Sequence, residues 1–136
     1  MRTNSGRSIR TFKFALGLFG AILLSAGCSW FRDFDFTQGA AMTGGDPNIG
    51  KRSLAQHSCI SCHAIPGVPK GDGNSAPTLA HWSKRKTFLE SYPNTPDNLI
   101  KWLQNPSHIK PGTKMPNLNV SEKDSRDIAA YLFSIE

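Results

Sequence analysis

The sequence is poor in the ingredients of a sheet, of a zinc site and of a membrane span. No stretch alternates β-branched and polar residues in the period-two pattern of a half-buried strand. Only three cysteines are present, and no second cysteine pair stands ready to complete the four-ligand set of structural zinc. The longest uncharged apolar run, Phe14 to Ala26, has about 13 residues where a helical span needs about 20. Acids are missing from the start, where Arg2, Arg7, Arg10 and Lys13 cluster. The formal net charge of +6 is therefore concentrated there: after Cys28, twelve Lys and Arg face ten Asp and Glu, a net of +2. That near balance lacks the concentrated basic footprint of nucleic-acid binders, so no nucleic-acid partner is expected.

A basic stretch without acids followed by a short apolar run is the layout of a secretory signal. The run ends Leu23-Leu24-Ser25-Ala26-Gly27-Cys28, which resembles a bacterial lipoprotein cleavage site, with Cys28 as the lipid-modified first residue of the mature chain. Ser25 departs from that pattern, which more often has an aliphatic residue there. Cysteine arithmetic agrees, because an odd thiol in an oxidising compartment is otherwise unexplained. Ordinary cleavage nearby and an uncleaved anchor are the alternatives. The expected organisation is a signal over 1–27, a lipid-anchored tether over 28–47 and a folded domain over 48–136, held on the periplasmic side of a bacterial membrane. In the tether Trp30, Phe31, Phe34 and Phe36 interleave with Arg32, Asp33 and Asp35, ahead of Gly39, Gly44 and Gly45. The glycines make its second half flexible; the aromatic half either lies at the bilayer interface or forms a short ordered arm on the domain.

The stretch that organises the rest is Cys59-Ile60-Ser61-Cys62-His63. Cys-x-x-Cys followed directly by His is the arrangement that attaches haem covalently. The two thiols form thioethers with the vinyl groups of one haem edge, and the adjacent imidazole is placed under the iron as a proximal ligand. A redox dithiol would need a β-α-β setting, which the missing strand patterns argue against. One covalent haem c is the expected cofactor. About 90 residues remain for the domain, a size at which a hydrophobic core is marginal without a staple, and an apolar macrocycle held in its centre is such a staple.

Helical signals lie on both sides of the motif. Asp46-Pro47-Asn48 supplies a cap and an initiating proline, and Gly50 to Ser58 runs as a short helix with Leu54 and Ala55 inward. Pro66, Gly67, Pro69, Gly71 and Gly73 make Ala64 to Pro77 a loop. One turn or more of helix is expected within Trp82 to Ser91, around Phe88 and Leu89. Thr95-Pro96-Asp97 caps and starts another helix, with Leu99, Trp102 and Leu103 on one face and Pro106 as its stop. Ser121-Glu122-Lys123-Asp124 resembles a capping box with Asp in place of Glu, and Ile128, Tyr131, Leu132 and Ile135 follow at the spacing of one helical stripe. The fold class is all-α: three to five short helices around one covalent haem, with no strand and no internal repeat.

From about Gly50 to Ile135 the chain resembles a class I cytochrome c. The haem motif is followed in family order by Asn105-Pro106, Pro111-Gly112-Thr113-Lys114-Met115 and Asp127-Ile128-Ala129-Ala130-Tyr131-Leu132. Within that class, Pro93-Asn94-Thr95-Pro96-Asp97-Asn98-Leu99 and Lys110-Pro111-Gly112 look most like the haem domain of caa3-type oxidase subunit II and its free-standing relatives. The resemblance implies His63 as proximal and Met115 as distal iron ligand. It also implies a Pro77 carbonyl accepting the His63 ring N–H, Thr113 reaching a haem propionate, and Tyr131 packing the last helix across the first near Gly50. Trp102 stands where many members have a tyrosine. Met115 also has a case of its own: a soft, neutral thioether favours Fe(II), and Pro111-Gly112 gives its loop a turn. Met115 as plain core filler, and His57, His81 or His108 as sixth ligand, are the alternatives.

An iron with both axial positions filled offers no site to a substrate, so the implied role is a carrier of single electrons in a respiratory chain, not an enzyme. The expected partners are redox proteins, a terminal oxidase or a quinol-oxidising complex, and the membrane through the lipid. Lys110 and Lys114 beside the Met115 loop either steer an acidic partner or are solvated surface lysines. Lys84-Arg85-Lys86 reads the same way, with Arg85 also a neighbour for a propionate. A Gly-rich tether would let the domain swing between donor and acceptor. A permanent haem subunit of a dehydrogenase or quinol-oxidising complex is the alternative function, and a haem-based ligand sensor a further one.

Overall fold

Residues 35–136 are described by a computed structural model; the expected signal, Cys28 and the aromatic residues up to Phe34 lie outside the described residues. In chain order the helices are α1 (Phe36–Thr43), α2 (Pro47–Gln56), α3 (Pro96–Gln104), α4 (Pro106–Ile109) and α5 (Glu122–Phe133), with a small hairpin of β1 (Thr87–Phe88) and β2 (Tyr92–Pro93) between α2 and α3. The expected small all-α fold is present.

The first helix corrects the reading of a flexible tether. Asp35 caps α1 by accepting from Gln38 N at 3.1 Å, and the helix ends at Gly44, whose left-handed φ of 70° suits the only residue without a Cβ penalty there. Gly39 and Gly45 serve contact and not freedom: a Cβ on Gly39 would strike the Ala130 carbonyl, and one on Gly45 the Arg126 carbonyl. The main chain from Asp35 to Pro47 is thus pressed against α5. Asp35 N–H donates to Ser134 O at 3.0 Å, Arg126 Nη1 donates to Thr43 O at 3.1 Å, and the Phe36 and Tyr131 rings lie 6.1 Å apart. Composition misled because glycine is both the most flexible residue and the only one that permits backbone to touch backbone.

The start of α2 is fixed twice. The Asp46 side chain accepts from Asn48 N at 2.8 Å and Ile49 N at 3.3 Å, while its own N–H donates to Asp127 Oδ1 at 2.7 Å. Four residues on, a Cβ at Gly50 would strike the Asp127 carbonyl, so α2 crosses α5 there. The crossing falls near Gly50, as expected, with Asp127 of α5 at the contact. One turn later on α5, Tyr131 has its ring 6.1 Å from that of Phe36 and donates its hydroxyl to Pro66 O at 2.6 Å.

The later elements follow their signals closely. Thr95 Oγ1 accepts from Asn98 N at 3.3 Å, and Leu99, Ile100, Trp102 and Leu103 are buried on α3. Pro106 ends α3 and begins α4, with Asn105 Oδ1 accepting from His108 N at 3.3 Å. Ser121 Oγ accepts from Asp124 N at 3.0 Å and donates to Asp124 Oδ2 at 2.8 Å, so the acid answers the hydroxyl and not the cap's backbone N–H. Ile128, Tyr131, Leu132 and Ile135 are all buried, as are Ala129, Ala130 and Phe133.

The hairpin was not expected. Trp82–Lys84 form a 3-10 turn, after which Leu89 and Glu90 take left-handed φ values of 46° and 73° and reverse the chain. Spacing by four suits a helix face, but Phe88 and Tyr92 here oppose each other across the two strands, their rings 5.3 Å apart and edge-on. Phe88 also lies 5.5 Å from Trp82 and 6.2 Å from Trp102. Three aromatic partners outweigh the weak local helical preference.

Candidate functional site

The haem motif begins where α2 has just ended. Ser58 turns the chain with a φ of 58°, and the Cys62 and His63 N–H groups both bond to Cys59 O, at 3.2 and 3.0 Å. One tight turn therefore carries both thiols and the imidazole. Cys59 is buried and Cys62 exposed. Burial pushes the Cys59 thiol up to about 11, whereas hydrogen bonding from Ser75 and then Ser61 holds the Cys62 thiol below its usual value.

The loop after His63 folds back on this turn. Ala76 N–H donates to Cys62 O at 3.0 Å and Leu79 N–H to Ala64 O at 2.8 Å. Gly73 must lack a side chain, since a Cβ there would lie 2.5 Å from Cys62 C and 2.7 Å from His63 N. The result is that Pro77 O sits 2.6 Å from His63 Nδ1. A carbonyl oxygen only accepts, so Nδ1 carries the proton and Nε2 keeps a lone pair for a metal.

Arg85 holds the far end of the loop, donating through Nη2 to Thr78 O at 2.6 Å and Ala80 O at 2.8 Å. Its guanidinium lies 5.0 Å over the Trp82 ring. The sequence pointed to Arg85 only as a charge; no local signal shows that it fastens the residues beside Pro77. Tyr131, through Pro66, is a second fastening of the same loop.

Met115 lies on the second loop. Gly112 has a φ of 77°, Thr113 N–H donates to Lys110 O at 3.1 Å, and Thr113 Oγ1 accepts from Met115 N–H at 3.2 Å. Thr113 thus shapes the loop, and its hydroxyl proton is left for another acceptor. Met115 is partly buried against the hydrophobic core. Lys110 is paired with Glu90 at 2.9 Å, while Met42 is exposed on α1. Of the rival imidazoles, His57 Nε2 is 3.4 Å from Asp124 Oδ2, and His81 and His108 are exposed.

This donor set fits one haem c. Cys59 and Cys62 supply two thiols on one turn, His63 supplies a neutral imidazole of fixed tautomer, and Leu79, Trp82, Leu99, Trp102 and Leu103 supply an apolar, aromatic surround.

Comparison with known proteins agrees. The family model described as Cytochrome c matches residues 48–136. Cytochrome c oxidase subunit 2 of Alkalihalophilus pseudofirmus is 31% identical over 90 residues, covering 65% of this chain and 25% of that protein. The subunit 2 of Bacillus sp. strain PS3 is 32% identical over 88 residues, 62% of this chain and 25% of the relative. A cytochrome c of Tetrahymena pyriformis is 33% identical over 103 residues, 67% of this chain and 90% of the relative. The chain therefore spans about a quarter of the oxidase subunits and nine-tenths of the small cytochrome. By fold, donor set and family match, the chain belongs to the cytochrome c family, as a class I member that carries a single covalently attached haem c.

Proposed function

We propose that this protein is a membrane-anchored monohaem carrier that passes single electrons toward a terminal oxidase, with Cys59 and Cys62 as thioether residues, His63 and Met115 as axial ligands, and Cys28 as the lipid attachment site. The observation that carries the reading is the 2.6 Å contact of His63 Nδ1 with Pro77 O. It holds the imidazole in one tautomer and one orientation, as a ligand retained in both redox states requires. Met115, partly buried on a loop bound by its own Thr113, is the sixth-ligand candidate, and Thr113 keeps a hydroxyl proton for a haem propionate.

Bound haem supplies a one-electron Fe(III)/Fe(II) couple. The chain's part is to keep both axial positions filled, which excludes a substrate, and to keep the surround dry. The role is electron carrying and not catalysis. The terminal oxidase as acceptor is supported by the relatives named cytochrome c oxidase subunit 2, of which this chain resembles one quarter. The periplasmic, lipid-held location rests on the signal-like start and Cys28.

The test uses the full chain expressed with haem attachment. The reduced protein should bind no carbon monoxide and should be reoxidised by oxidase-containing membranes. Carbon monoxide binding at neutral pH would mean a labile sixth position and a sensor, and reoxidation unaffected by an oxidase inhibitor would remove the oxidase from the proposal. For location, the chain from Ser29 onward is exported with a different, cleavable signal. Haem should then appear in the soluble periplasmic extract; haem that stays on washed membranes would show that Cys28 is not the anchor.

A further inference from the structure

The inner side of α1 is fixed. Gly39 lies where a Cβ would strike the Ala130 carbonyl, Asp35 N–H donates to Ser134 O at one end, and Arg126 Nη1 donates to Thr43 O at the other. The outer side is open: Thr37, Gln38, Ala41 and Met42 are exposed. Residues four apart are neighbours on a helix surface, so Thr37 with Ala41 and Gln38 with Met42 form two adjoining rows of one face. At 44% exposure, Met42 is the one exposed large hydrophobic side chain among the described residues. A single exposed methionine is ordinary by itself; its setting is what selects a partner.

That setting carries no charge. Among the described helices of eight residues or more, α1 alone has no Asp, Glu, Lys or Arg. The charges at its ends are already answered. Asp35 accepts from Gln38 N, Asp46 accepts from Asn48 N and Ile49 N, and Arg126 is paired with Glu122 at 2.8 Å. Covering this face therefore strips no unpaired ion of its water. A redox partner selected by charge would find none to pair with there, and α1 carries none of Cys59, Cys62, His63 and Met115.

The position of α1 in the chain names the occupant. Six residues, 29–34, lie between Cys28 and Asp35, so of all the described elements α1 has the shortest tie to a lipid on Cys28. Those six include Trp30, Phe31 and Phe34, residue types that favour the boundary between headgroups and acyl chains. With lipid chains to hold the protein at high effective concentration, the face has only to decide which side of the domain turns toward the bilayer. We propose that the outer face of α1, with Met42 as its apolar contact, rests on the lipid surface and so orients the haem domain. The proposal rests on the reading of Cys28 as the lipid attachment site and adds an orientation to that anchor.

The test places the full haem-loaded chain in phosphatidylcholine nanodiscs, with the haem reduced and diamagnetic and the methionine methyl groups isotopically labelled. After Cys28 the chain has two methionines, Met42 and Met115, and Met42→Leu identifies which signal is which. A gadolinium chelate carried on a lipid headgroup should broaden the Met42 methyl resonance several-fold more than that of Met115, while a soluble gadolinium chelate should leave the Met42 resonance sharp. Both results together support the proposal. Broadening of Met42 by the soluble chelate overturns it. Protection from the soluble chelate without broadening by the lipid-borne one also overturns it, and makes the covering surface a second copy of the chain or residues 29–34. The intact mass of the same sample separates this from the anchor: acyl chains on Cys28 with either adverse result sink the orientation alone, whereas a Cys28 without acyl chains removes anchor and orientation together.

Discussion

The corner where α1, α2 and α5 meet and the two loops that carry His63 and Met115 are held together by different balances of main-chain and side-chain contact. In the corner, main chains touch: Gly39, Gly45 and Gly50 each stand where a Cβ would strike the backbone of α5. In the loops, one such approach, at Gly73, is joined by reaching side chains, from Arg85 to Thr78 and Ala80, from Tyr131 to Pro66 and from Thr113 to Met115 N–H. The corner has no room to give and contains none of the proposed haem-binding residues. Gly73 apart, the loops can exchange a side chain and still exist. Damage to the corner should therefore remove the fold, and damage to the loops should change the haem while the fold survives.

The sharpest test is Gly50→Val. A branched side chain against the Asp127 carbonyl should cost more than about 4 kcal/mol, a large part of an ordinary domain's stability. The expected outcome is little haem-loaded protein and a collapsed urea midpoint in what can be recovered. A normal midpoint would break the comparison.

Tyr131 joins the two regions, and pH should expose it. Burial pushes its hydroxyl up from 10.0 to about 12. Between those values the folded protein keeps a proton that the unfolded chain releases, so stability is full below pH 10 and falls as pH rises toward 12, by roughly 2–3 kcal/mol in all. Urea midpoints of the native protein should decline over that range by more than those of Tyr131→Phe. Equal slopes would mean that the hydroxyl is not held as the 2.6 Å bond to Pro66 O indicates.

Met115→His is the loop's counterpart to Gly50→Val. A nitrogen donor in place of the thioether should lower the potential by on the order of 100 mV or more, with six-coordination kept and the far-ultraviolet circular dichroism unchanged. An unchanged potential, read by redox titration, would hand the sixth position to another residue. The smallest effect should come from Ser121→Ala. It removes the α5 cap and should lower stability by about 1 kcal/mol, leaving the visible spectrum and potential as they were.

What could be read from the sequence divides along the same line. The capped helices were legible because Thr95, Pro96, Asn105 and Ser121 act within a few residues of themselves, and the stripe from Ile128 to Ile135 needs only periodicity. The haem motif was legible because its chemistry is local, and the reach from His63 to Pro77 came only through family resemblance. The rest depends on residues distant in the chain. Nothing near Gly39 says that α5 lies against it, nothing near Arg85 names the carbonyls it binds, and the Phe88–Tyr92 spacing suits a helix until Trp82 and Trp102 arrive from elsewhere.

The docked α1 also sets a length. If Cys28 holds lipid, only the seven steps from Cys28 to Asp35 separate the bilayer from a helix fixed to the domain, and a fully extended chain of that length reaches about 25 Å. The haem domain would then be kept within about its own width of the lipid surface. It could turn and tilt there but not search far above the membrane. An electron partner would have to present its own docking face close to that plane, and lengthening the segment before Asp35, not loosening α1, would be the way to extend the range.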